Sequence, residues 1–175
     1  MKKAFVVFVA VILSVIAFSC DHSTDYTHGE FAIYLLADST MTTGEAMQQP
    51  LNSVALSPKP IISIDDIISY KWQDHSFSLK PGADDELRAV VERRQSVRGI
   101  PFVVVAEGDR IYFAAFWFAY SSIAPTCPTI FADFLFIAED TPSLTIQKPW
   151  VGDEPDMRND PRIYRGLKAA GVLIE

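Results

Sequence analysis

The chain has 175 residues, 15 of them Lys or Arg and 22 Asp or Glu, for a net charge of −7. That length suits a single domain with a sizeable core. The acidic balance argues against nucleic acid as a partner and against a basic grip on anionic lipid.

The first residues, Met1-Lys2-Lys3, are positive, and Ala4 to Phe18 runs without charge or proline. An apolar run of about 15 residues fits a signal-peptide core and falls short of the ~20 that a spanning helix needs. It stops at Ser19-Cys20, after which Asp21-His22-Ser23-Thr24-Asp25 is polar. Ile16-Ala17-Phe18-Ser19-Cys20 resembles the lipobox of bacterial lipoprotein precursors. The resemblance implies a signal peptide over 1–19, cleavage before Cys20 and diacylglyceryl on its sulfur, with further fatty acid such as palmitate. Two or more chains give stable anchoring at ~0.8 kcal/mol per buried CH₂. Membrane attachment is then expected through lipid on Cys20, with the domain facing the periplasm or exterior. Asp21 resembles an inner-membrane retention signal. Without Lys2 and Lys3 the 15 basic residues become 13 against 22 acidic, a net charge of −9. Residues 20–30 read as the lipidated cysteine and a tether, and 31–175 as one globular domain.

Within that domain, residues 31–36 (Phe-Ala-Ile-Tyr-Leu-Leu) predict a first strand, apolar enough to be central. Residues 38–60 read as irregular, with a short strand at 54–56. Ser63 with Asp66 three residues on predicts a capped short helix through Ile64, Ile67 and Ile68. Alternation over 75–80 places Phe77 and Leu79 on one face of a second strand. Residues 83–96 predict a helix with Asp84, Asp85 and Glu86 early and Arg93 and Arg94 late, the charge order that suits the helix dipole. Gly99 ends it. Residues 101–106 predict the clearest strand, Gly108-Asp109 a two-residue hairpin turn, and 110–120 its partner. A break with Pro125 and Pro128 precedes a strand over 129–137 and an edge strand over 144–146. Residues 148–160 read as loop. Asp160 caps a last helix that begins at Pro161 and stops at Gly171. The expected architecture is α+β: a two-layer, mainly antiparallel sheet with two or three helices packed on one face.

The order of Phe77-Ser78-Leu79, a helix, Gly99, the strand 102–106, Gly108 and a return strand is similar to the periplasmic head subdomain of the protein-export translocase. Over residues 76–131 this implies a strand–helix–strand–turn–strand unit and, as one function, an accessory to export or envelope assembly.

Chemistry is sparse. There is no G-x-S-x-G, no P-loop and no G-x-G-x-x-G, so no cofactor is expected. His22 and His28 beside Asp21 and Asp25 lack the spacing of a metal site and read as solvated linker. With Cys20 lipidated, Cys127 has no partner and reads as a buried small residue rather than half of a Cys127–His75 nucleophile pair. The informative stretch is 111–138, whose one charged residue is Asp133. Ile111, Phe113, Ala115, Trp117 and Ala119 share one face of their strand, and Tyr112, Ala114, Phe116, Phe118 and Tyr120 the other. One face is then an exposed aromatic patch or lies under residues 38–60. The candidate ligand or partner surface is Tyr112, Trp117, Phe118 and Tyr120 with Ser121, Ser122 and Asp133. The expected function is a non-enzymatic envelope domain that binds a protein or cell-wall ligand. The alternative is an envelope hydrolase pairing Asp133 with Asp65, Asp66 or Asp109.

Overall fold

The strands divide between two sheets that close over a shared core. The computed structural model describes residues 31–137, 143–150 and 155–175. The expected signal peptide, the tether and Cys20 lie outside the described residues. The larger sheet has five strands in the order β2-β1-β5-β6-β7: β1 (Phe31–Leu35), β2 (Ile62–Ser63), β5 (Ile100–Ala106), β6 (Asp109–Trp117) and β7 (Thr129–Phe131). The smaller has four, β8-β4-β3-β9: β3 (Ile67–Lys71), β4 (Ser76–Leu79), β8 (Ser143–Thr145) and β9 (Leu173–Ile174). Pairing is antiparallel except between β6 and β7 and between β3 and β9. Among the described residues three α-helices accompany the sheets: α1 (Thr43–Met47), α2 (Asp85–Arg94) and α3 (Pro161–Ala169). The class is α+β and mainly antiparallel. The strand–helix–strand–turn–strand order is present along the chain, but β4 belongs to the smaller sheet and β5 and β6 to the larger.

β1 and β5 are buried at every position, because both faces of the larger sheet are covered. On one face Phe31, Ile33, Phe102, Val104, Tyr112 and Phe116 pack against Tyr70, Phe77 and Leu79 of the smaller sheet and against α2 and α3. On the other, Ala32, Tyr34, Val103 and Val105 pack against Ala46 and Val54 from the segment after β1. Arg110 fixes that cover by donating through Nη1 to the carbonyls of Leu51 (2.9 Å) and Val54 (2.6 Å). Residues 38–60 are thus a lid over the sheet rather than an excursion from it.

The hairpin turn lies one residue earlier than the Gly108-Asp109 pattern indicates. Glu107 (φ 52°) and Gly108 (φ 82°) are its central residues, and Asp109 already pairs with Ala106. The type I′ two-residue turn needs positive φ at both centres. A register shift between Val104 and Val105 turns Ile111 toward the same core as Tyr112. The helix expected through Ile64, Ile67 and Ile68 is one 3₁₀ turn, Ile64–Asp66, followed by β3. Its cap is present, with Ser63 donating its N–H (2.7 Å) and hydroxyl (2.6 Å) to Asp66, but consecutive β-branched isoleucines favour the strand that follows. The strand expected over 129–137 stops at Phe131 and becomes a 3₁₀ turn, Ala132–Phe136. α2 has the expected charge order, acids early and Arg93 and Arg94 late, but it ends at Arg94, with Gln95 at a positive φ of 24°, and not at Gly99. α3 has the expected cap. Asp160 accepts from the Arg162 N–H at 2.9 Å, with Pro161 in the first turn.

Candidate functional site

β6 delivers the chain to the end of the larger sheet that carries the candidate residues. Three of them are core. Tyr112, Trp117 and Phe118 are 6%, 5% and 4% exposed. Tyr112 and Phe118 face the smaller sheet, whereas Trp117 lies on the opposite face with Ala115 and Cys127. Of the two alternatives for the second face of β6, an open aromatic patch or cover by residues 38–60, the structure has cover: the smaller sheet lies over one face and residues 38–60, with the loop before β7, over the other. Trp117 also donates through Nε1 to the Ile123 carbonyl at 3.2 Å, which pins that loop.

The remaining candidates do reach the surface. Tyr120 is 58% exposed and stacks on Phe118 at 5.1 Å between ring centroids. Ser122 is exposed, while Ser121 and Asp133 are half-buried. The Ser121 hydroxyl donates to the Val97 carbonyl at 2.7 Å, so its role is to hold the loop. Asp133 accepts the backbone N–H of Ala119 at 2.8 Å, tying the end of β6 to the 3₁₀ turn. Beside that link lies a groove of about 380 Å³ lined by Ala119, Phe131, Asp133, Phe134, Gln147 and Trp150. Phe131 and Trp150 meet at 6.0 Å and 38°. Phe134 and Trp150 are 50% and 65% exposed.

Phe131, Phe134, Gln147 and Trp150 were not singled out by sequence reasoning. A 3₁₀ turn in place of a strand sends Phe134 outward while Ala132 and Leu135 point in. Gln147 and Trp150 arrive from a distant part of the chain through the bridge between Thr129 and Gln147. The one sequence signal was an isolated Trp150 within a stretch of prolines and charges.

A second concavity, about 220 Å³, lies between Met47, Phe113, Cys127, Pro128, Pro149 and Met157. Cys127 at its base is buried, and desolvation pushes its thiol up to about 12, so at neutral pH it holds its proton and is a poor nucleophile. His75 lies in the turn between β3 and β4, not with Cys127. Its Nδ1 is 3.1 Å from the Tyr70 hydroxyl, and burial lowers its pKa. Arg158 is nearby, held by Asp156 (2.8 and 2.6 Å) and donating to the Ile146 carbonyl at 2.7 Å. The Tyr112 hydroxyl is buried with no hydrogen-bond partner among the described residues. These groups form a packed polar seam beneath the smaller sheet.

Two of the carboxylates of the hydrolase alternative, Asp109 and Asp66, are engaged elsewhere, and Asp65 is exposed. Asp109 begins β6 and accepts from Arg162 at 2.9 Å, at the opposite end of the strand from Asp133. Asp66 is held by Ser63. Among the described residues no group of three His, Cys, Asp or Glu side chains is placed to hold a metal ion. No helix among them is long and apolar enough to cross a membrane. The chain matches no protein-family model, no curated protein and no solved structure in the comparisons made.

Proposed function

We propose that this chain is a membrane-anchored envelope lipoprotein, held through lipid on Cys20, whose domain binds another molecule at the groove beside Asp133. The observation that carries the reading is a cluster of exposed aromatic rings at one end of a sheet whose faces are otherwise buried. Phe134 and Trp150 bound the groove, and Tyr120 follows directly on Ala119 in its wall. Large rings kept out of an otherwise well-filled core are the usual mark of a binding surface. Their mounting is rigid: β6 on one side, the Asp133 link on the other.

Position supports the same reading. The tether joins the domain at Phe31, which pairs with Ala106 beside the Glu107-Gly108 turn. β6 runs from that turn to Trp117, on the order of 27 Å at the usual strand rise of ~3.4 Å per residue. α3 buttresses the tether end, with Arg165 paired to Glu107 (2.6 Å) and Arg162 to Asp109 (2.9 Å). A domain tethered at Phe31 thus presents the groove on the side away from its anchor.

The test is site-specific photocrosslinking in cells with the full chain. A photoreactive phenylalanine at position 134 is expected to give a discrete higher-mass adduct. The same group at Ile68, exposed on the smaller sheet, is the control and is expected to give none. Identical patterns from both positions, or none from 134, would overturn the proposal.

A further inference from the structure

We infer that the groove takes a cationic side chain, a lysine or arginine of a protein partner, held between aromatic rings and the Asp133 carboxylate. The inference rests on the reading of this groove as the binding surface and adds the chemistry of what it binds. Three rings (Phe131, Phe134 and Trp150) line it, and among the described residues Asp133 is its one ionisable lining group. Ring faces carry negative potential and attract ammonium or guanidinium groups, most strongly where water is thinned. A half-buried carboxylate adds to that field in the same direction. Among the described residues no lysine or arginine lines the groove to neutralise it, and the whole chain carries −7.

A neighbouring contact uses the same attraction. The Arg88 guanidinium stands 5.8 Å over the ring of Phe136, in the 3₁₀ turn that also supplies Asp133 and Phe134. Asp133 keeps its hydrogen bond from Ala119 through Oδ2, so its position does not depend on the ligand. Two features favour a protein side chain over a lipid headgroup: the groove lies at the end of β6 remote from Phe31, and a mixed lining of apolar rings and one carboxylate suits an aliphatic stem with a charged tip.

The test titrates the full chain, in a non-ionic detergent, with N-acetyl-lysine methylamide, N-acetyl-arginine methylamide and the uncharged N-acetyl-norleucine methylamide. The readout is the indole fluorescence that Trp150→Phe removes. The charged probes are expected to bind about tenfold more tightly than norleucine. Asp133→Asn, which retains an acceptor for Ala119, is expected to erase that preference. Equal binding of all three probes would overturn the cation reading while leaving an apolar binding surface. A response to a tetramer of N-acetylglucosamine with the charged probes silent would overturn it in favour of a glycan. Silence from every ligand would overturn it along with the groove's role in binding.

Discussion

Asp133 Oδ2 accepts the backbone N–H of Ala119 at 2.8 Å, and this bond extends the β6–β7 pairing, which ends at Trp117 and Phe131, into the turn that carries Phe134. Removing the acceptor loosens that extension. Asp133→Ala is expected to lower stability by about 1 kcal/mol, the usual worth of such a bond. Asp133→Asn keeps an acceptor and should stay close to the parent. Urea denaturation of the three proteins measures this, and equal losses for Ala and Asn would show that the bond is not what holds the turn.

Val104 lies in the middle of β5, fully buried between the sheets. Val104→Asp puts an unpaired carboxylate there, at an expected cost of several kcal/mol. Circular dichroism of the thermal transition is the measurement. A variant that melts with the parent would displace β5 from the centre of the core.

Gly99 has φ +73°, and a Cβ there would stand 2.5 Å from Cε3 of Trp117 and 2.6 Å from Oγ1 of Thr43. Both the backbone conformation and the contact oppose a side chain, so Gly99→Ala is expected to cost about 3 kcal/mol. Because Trp117 anchors Ile123, the indole environment should change too, which near-ultraviolet circular dichroism reads. Unchanged stability and spectrum would mean that this approach is looser than the structure has it.

His75 gives a pH dependence. Burial, then the Arg158 charge, lowers its folded-state pKa below the ordinary 6.5, against smaller opposing effects of Asp156 and Asp74. Above about pH 6.5 the imidazole is neutral in both folded and unfolded chains. As pH falls below that, the unfolded chain takes a proton that the folded one resists, and stability declines, at most ~1.4 kcal/mol per pH unit. The hydrogen-bonded carboxylates Asp74 and Asp156, lowered from 3.8, lose their contribution only at more acidic pH. Unfolding free energies at about pH 7.5 and 5.5 should therefore differ in the parent. The difference should vanish in His75→Asn, since asparagine tolerates the positive φ of 55° found there. A slope that survives the substitution would assign the effect to another group.

Local signals accounted for much of this fold. Strands β1 and β5 follow from apolar runs too short for helices, α2 from its charge order, and α3 from its Asp160 cap and Pro161. The five-residue α1 has a capping box, with the Thr42 N–H donating to Glu45 at 2.8 Å, but it contains Gly44 and is too short to show a period. The partition into two sheets depends on long-range pairings, such as β8 with β4, that no local pattern encodes. The site divided in the same way. Tyr120 and Asp133 were legible as polar-tipped or charged residues at the end of an oily strand. Tyr112, Trp117 and Phe118 looked equally eligible, because alternation says which residues share a face and not what covers it. Trp150 and Gln147 enter the groove only through tertiary pairing.

Intact-mass and N-terminal mass spectrometry of the protein extracted from membranes tests the proposed lipid anchor on Cys20. A mature chain that begins at Cys20, lacks residues 1–19 and carries diacylglyceryl on the cysteine sulfur is expected, with Cys20→Ala accumulating as uncleaved, unlipidated precursor. A chain that starts elsewhere, or a Cys20 recovered without lipid, would contradict that anchor.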